Sequence, residues 1–192
     1  MARFFRNLTK PAPAFPWCTV LLAGPGQPLA ADVPGHEAMV LRATAHGEAN
    51  VLVPHTLVDG GTLWQHHRLE LAPHLQHFLM PGEADSHLRA AVDRAALLIE
   101  QQQLRLDGAP AARLAVGTLR DYFDSPGLPA DIPARALKLI ARADSASAVL
   151  EAMLSVLGEH SMDPELLSLS NPIRQARMSA VAFSAIELAR VS

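Results

Sequence analysis

The chain has a single cysteine, Cys18, and only two lysines against fourteen arginines. One cysteine excludes an intramolecular disulfide and every multi-cysteine zinc or iron–sulfur site, and it makes a reducing, cytoplasmic interior the expected compartment. Charge is scarce as well: Asp, Glu, Lys and Arg make up 18% of the residues, against about 25% in an average globular domain. A monomer of this size normally spreads more charge over its surface. Part of that surface is therefore expected to be hidden in a homo-oligomer, a dimer first of all, or against another protein partner. The sixteen basic and nineteen acidic residues are mixed along the chain and leave a net charge of −3, so there is no broad basic face for a nucleic-acid backbone. No stretch of about eighteen apolar residues runs uninterrupted, which excludes a membrane-spanning helix on length. Met1 to Lys10 has Phe4-Phe5 as its apolar stretch and no cleavage pattern after it, unlike a secretory signal. The excess of arginine over lysine, with abundant alanine, fits a GC-rich bacterial genome.

A length of 192 residues suits one good core. The pattern predicts an α+β chain: an arm over 1–16, then a single domain over 17–192 that is mainly β over 17–80 and mainly helical over 83–192. In the arm, Pro11, Pro13 and Pro16 favour an extended path. Trp17 to Ala23 is an apolar run closed by the turn Gly24-Pro25-Gly26. His36 to Ala45 alternates Met39, Leu41 and Ala43 against Val40, Arg42 and Thr44, and after His46-Gly47-Glu48 the run Asn50 to Val53 pairs back on it. Asp59-Gly60-Gly61 then introduces Thr62 to Leu71, with Leu63, Gln65, His67, Leu69 and Leu71 on one face and Trp64, His66, Arg68 and Glu70 on the other. The short connections predict an antiparallel sheet of about four strands.

Beyond Pro81-Gly82 the period becomes helical, and about five helices are expected in a C-terminal layer. Asp85 or Ser86 caps the first, which runs to Leu106 along a seam of Leu88, Val92, Ala95, Ile99, Gln102 and Leu106. Cap residues mark further helices at 110–122, 133–143, 144–157 and after Asp163-Pro164-Glu165, with a last one opening at Asn171-Pro172. From Met178 to Ile186 that last helix carries no charge, so it is expected to be buried all round, and Met178, Val181, Phe183, Ile186 and Leu188 are the candidate interface. Arg174 and Arg177, in its first turns, face an acidic group or, preferably, a solvated rim.

Eight of the nine histidines fall between His36 and His87. Spacing divides them. His74 and His77 stand three apart in a segment expected to be helical, and His67 or His66 on the preceding strand, His67 by preference, is placed to be a third ligand, a set that suits zinc or another divalent ion that activates water. His46, His55, His66 and His87 fall at turns, outward strand positions or a helix start, where an imidazole needs no special reason. No H-E-x-x-H, no G-x-S-x-G elbow and no phosphate loop is present. Asp85-Ser86-His87 contains triad residue types, but neighbours at a helix start cannot form that geometry. Cys18, beside Trp17 in an apolar strand, reads as a small buried hydrophobe. No catalytic residue is assigned and no cofactor is required. A non-enzymatic, self-associating or partner-binding module is the favoured reading, ahead of a histidine-based metal-binding protein or metal-dependent hydrolase. A nucleic-acid binder comes third, contacting anions through Arg3, Arg6, Arg174 and Arg177, with a helix-turn-helix at Arg142 to Ser145 disfavoured because its second helix offers no base-reading cation.

Overall fold

The computed structural model describes residues 15–25, 27–29, 31, 33–44, 47–70, 79–101, 131–157 and 163–191. Four strands, β1 (Cys18–Leu22), β2 (Glu37–Arg42), β3 (Ala49–Thr56) and β4 (Thr62–Leu69), are followed by three helices among the described residues, α1 (Pro81–Gln101), α2 (Ala134–Leu157) and α3 (Asp163–Val191). The chain divides into two compact units, one of residues 1–78 and 181–192 and one of residues 79–180.

The sheet is an antiparallel meander in the order β1-β2-β3-β4. Thr19, Val40, Val51 and His67 form one row across all four strands, and the face they share carries the fully buried Val40, Val51 and Val53 with Leu21, Ala38 and Ala49. Leu29, Ala31 and Val33 from the β1–β2 connection pack on this cluster. Gly35, at φ +128°, makes the close approach possible, since a Cβ there would lie 2.9 Å from Val53 Cγ1. The β2–β3 pairing ends at Met39 and Leu52, one step before Pro54, which has no N–H to donate to the ladder. At the β3–β4 turn Leu57 N–H bonds to Gly61 C=O and Gly60 N–H to Leu57 C=O. Gly60 takes φ +81°, the left-handed position that a three-residue hairpin loop requires.

The alternation of the four strands matches the sequence pattern, but the helices differ from it in number and phase. α1 starts a turn earlier than expected: Met80 N–H bonds to Glu83 Oε2 at 3.0 Å and Pro81 takes the first helical position, leaving Asp85 and Ser86 inside the helix instead of capping it. Its buried seam is Ala84, Leu88 and Ala95, while Val92 is 39% exposed. The two helices expected over 133–157 are one. Buried positions at Ala136, Leu139, Ala143, Ser147 and Leu150 keep a continuous three-and-four spacing through the supposed break. The side chains that read as caps are engaged otherwise, Ser145 Oγ with Ala141 C=O and Asp144 with Arg177. Continuity also removes the helix-turn-helix. Likewise α3 runs through Asn171-Pro172, because Leu169, Ile173, Ala176 and Ala180 hold one buried stripe across it, although an interior proline removes one helical hydrogen bond. About five helices thus reduce to three among the described residues; the one expected at 110–122 lies outside them. No described helix is long and apolar enough to cross a membrane.

Candidate functional site

β4 is an outer strand of the sheet, and it is the exposed one. β1, the other outer strand, has five residues that are buried or half-buried, whereas most of the eight residues of β4 are exposed. Leu63 and Trp64 are 55% and 46% exposed, and Leu57 and Val58 at the neighbouring turn are exposed too. Since Leu63 and Trp64 point to opposite faces, the hairpin presents apolar surface on both sides of one edge. Proteins commonly guard such an edge with lysine, proline or a bulge. β4 has neither lysine nor proline, its one charged residue, Arg68, is paired with Glu48, and its register with β3 is unbroken over all eight residues.

The polar side chains around this edge are held in pairs across the β3–β4 ladder. His55 Nε2 lies 2.9 Å from Gln65 Oε1, His66 Nε2 lies 2.8 Å from Asn50 Oδ1, and Arg68 Nη2 donates to both oxygens of Glu48 at 2.7 and 2.6 Å. Each pairing links the outer strand to its neighbour across the ladder. The expected outward placement of His55 and His66 holds.

His67 lies on the face opposite His66, the core face that carries Val51. Its Nε2 is buried and has no hydrogen-bond partner. His74 and His77, the other two members of the metal set, lie outside the described residues, and among the described residues no three ligating side chains gather. Two further buried polar atoms on the same face, Thr19 Oγ1 and Arg42 Nε, are unpartnered as well. Arg42 donates through Nη2 to Pro16 C=O at 3.1 Å and lies 5.5 Å over the Phe15 ring; burial lowers its pKa. The sequence pattern gave no sign of it, because an arginine in alternation reads as outward.

Trp17 donates its indole N–H to Ala185 C=O at 2.7 Å, tying the last turns of α3 into the unit that contains the sheet. Ile186 is 8% exposed, and Met178, Val181, Phe183 and Leu188 are half-buried. The uncharged stretch is thus buried or half-buried throughout. Arg174 and Arg177 are not in first turns, since α3 begins at Asp163. Arg174 is buried and donates to Ser170 Oγ at 3.0 Å, and Arg177 binds Asp144 at 2.7 Å, so the acidic group, not the rim, is what Arg177 meets. Arg3 and Arg6 lie outside the described residues. Burial pushes the Cys18 thiol up to about 11, which keeps it protonated and without nucleophilic character. An open cleft of about 730 Å³ beside the β1–β2 connection is lined by Gln27, Leu29, Val33 and His36 among others, and His36 is the one ionisable side chain among its described lining residues.

These features define an α+β chain, an antiparallel meander joined to long helices, with an exposed outer strand at one side of the sheet. The chain belongs to the Rv1486c-like protein family, whose C-terminal domain matches residues 82–178, about half of its length. That match takes in α1, α2 and α3 as far as Met178, and none of the strands. No curated protein and no solved structure matches the chain.

Proposed function

We propose that this chain is a non-enzymatic module that associates with itself, as a dimer, in the cytoplasm. The observation that carries this reading is the exposed outer strand β4, whose apolar residues Leu63 and Trp64 stand on both sides of an edge that no described strand pairs with. Low overall charge supports it from the sequence side. Native mass spectrometry at micromolar concentration tests it: a dimer is expected, and a strict monomer over the whole accessible concentration range overturns it.

The unpartnered Nε2 of His67 favours a second reading, a divalent-metal site completed by His74 and His77. Stoichiometric zinc in untagged protein, lost in His67→Ala, is its expected signature. Metal-free protein after growth in zinc-supplemented medium counts against it.

A further inference from the structure

We infer that two copies of this chain join β4 to β4, antiparallel, about a twofold axis at His66, making one eight-stranded sheet; the inference rests on the self-association reading above and specifies its surface. The hydrogen-bonding parity of the strand comes first. Leu57 and Gly61 are a hydrogen-bonded pair, and in an antiparallel ladder such pairs alternate with non-bonded ones. Continuing along the register, Leu63, Gln65, His67 and Leu69 bond to β3. The N–H and C=O groups of Thr62, Trp64, His66 and Arg68 therefore point to the free edge.

Side-chain chemistry selects the register. Opposed residues in a β ladder share a face, so self-pairing in which the two faces match must centre on a residue, not between two. A twofold at His66 sets Trp64 against Arg68 of the other copy on one face, an indole against a guanidinium. On the opposite face it sets Leu63 against Leu69. It also pairs Thr62 with Glu70 and uses every outward backbone group from 62 to 70. Centring at Gln65 sets Trp64 against His66 and Leu63 against His67, losing both matches. Centring at His67 brings His66 against Arg68. Only the His66 register gives apolar residues apolar partners and the aromatic a cation.

Disulfide trapping in the full-length chain tests this, with Cys18→Ala as background. His66→Cys places two thiols opposite each other at about 5.5 Å between Cα atoms, within disulfide reach. Gln65→Cys leaves them on a diagonal at about 7–8 Å, beyond it. The expected result under mild oxidation is a covalent dimer for His66→Cys and none for Gln65→Cys. As a second variant, His66→Pro removes an outward N–H while the bonds to β3 remain, so it should keep the parent's circular dichroism and weaken dimerisation about tenfold or more. Cross-linking through residue 65 and not 66 overturns the register. A native dimer that neither cysteine traps and that His66→Pro leaves intact overturns the β4 interface while self-association stands. A monomer in native mass spectrometry overturns both.

Discussion

Polar groups are treated differently in the two halves of the chain. On the core face of the sheet Thr19 Oγ1, Arg42 Nε and His67 Nε2 are buried without a hydrogen-bond partner. In the helical unit the half-buried carboxylates each meet arginine: Asp85 binds Arg89 at 2.6 Å and also Arg142, and Asp144 binds Arg177. Apolar packing differs in the same sense. Of the four largest fully buried side chains among the described residues, Val40, Val51 and Val53 stand side by side in the sheet, while Leu139 is in the helices. Among the described residues, the other buried positions of the helical unit include the alanines Ala84, Ala95, Ala136, Ala143 and Ala148, with Leu88, Leu150, Leu169 and Ile173 the larger ones. Small residues let helix backbones come close, but they leave few large side chains to fill the space. The sheet shares full burial among neighbouring valines and leaves polar atoms open; among the described helical residues full burial of a large side chain is concentrated at Leu139, and the half-buried carboxylates meet arginine.

The largest expected effect follows from that concentration. Leu139→Ala removes the one fully buried large side chain among the described helical residues, and it should cost about 3 kcal/mol. Val51→Ala, flanked by Val40 and Val53, removes less and should cost about 2 kcal/mol. Urea denaturation measures both, the first by helical circular dichroism and the second by tryptophan fluorescence, since Trp17 and Trp64 are the only tryptophans. A smaller cost for Leu139→Ala than for Val51→Ala would remove the distinction between shared and concentrated cores.

The same contrast explains what was legible in the sequence. Strand faces follow from a period of two, and the predicted assignment of Leu63, Gln65, His67 and Leu69 to one face and Trp64, His66 and Arg68 to the other is the observed one. Helix ends were less legible, because Asp144-Ser145 and Asn171-Pro172 carry strong local cap chemistry. A buried stripe that keeps phase across each of them outweighs it. Non-local partners were not legible at all: nothing near Arg177 points to Asp144, 33 residues away. The candidate edge lay between these cases. Trp64 and His66 were assigned to an outer face, but that β4 ends the sheet depends on strand order, which the sequence pattern does not encode.

A smaller effect is expected where the sheet unit holds the end of α3. Trp17→Phe keeps an aromatic ring and removes the N–H that bonds to Ala185 C=O. The loss should cost about 1 kcal/mol and speed amide hydrogen exchange over residues 181–191, with exchange in α1 unchanged. Unaltered exchange at 181–191 would mean that this bond does not hold the helix end, and the sheet unit would then be looser than its core suggests.

The smallest effect tests whether the closed charges of the helical unit stabilise it. The hydrogen bond from Arg142 is the main influence on Asp85 and lowers its pKa; partial burial acts in the opposite sense, and the charges of Arg142 and Arg89, with the hydrogen bond from Arg89, outweigh it. A carboxyl whose folded-state pKa lies below its unfolded value, about 3.9, stabilises the fold at pH above that value. That contribution is lost as pH falls through the lower, folded-state pKa. Asp85→Asn should therefore cost up to about 1 kcal/mol at pH 7, because Arg142 is largely solvated, and the difference from the parent should shrink below about pH 4. Glu48→Gln in the sheet unit is the control: both members of its pair with Arg68 are more than half exposed, so stability should not change measurably at either pH. Urea midpoints at pH 7 and pH 3 read both variants. An Asp85→Asn deficit that persists undiminished at pH 3 would show that the carboxylate charge is not what holds α1 to α2.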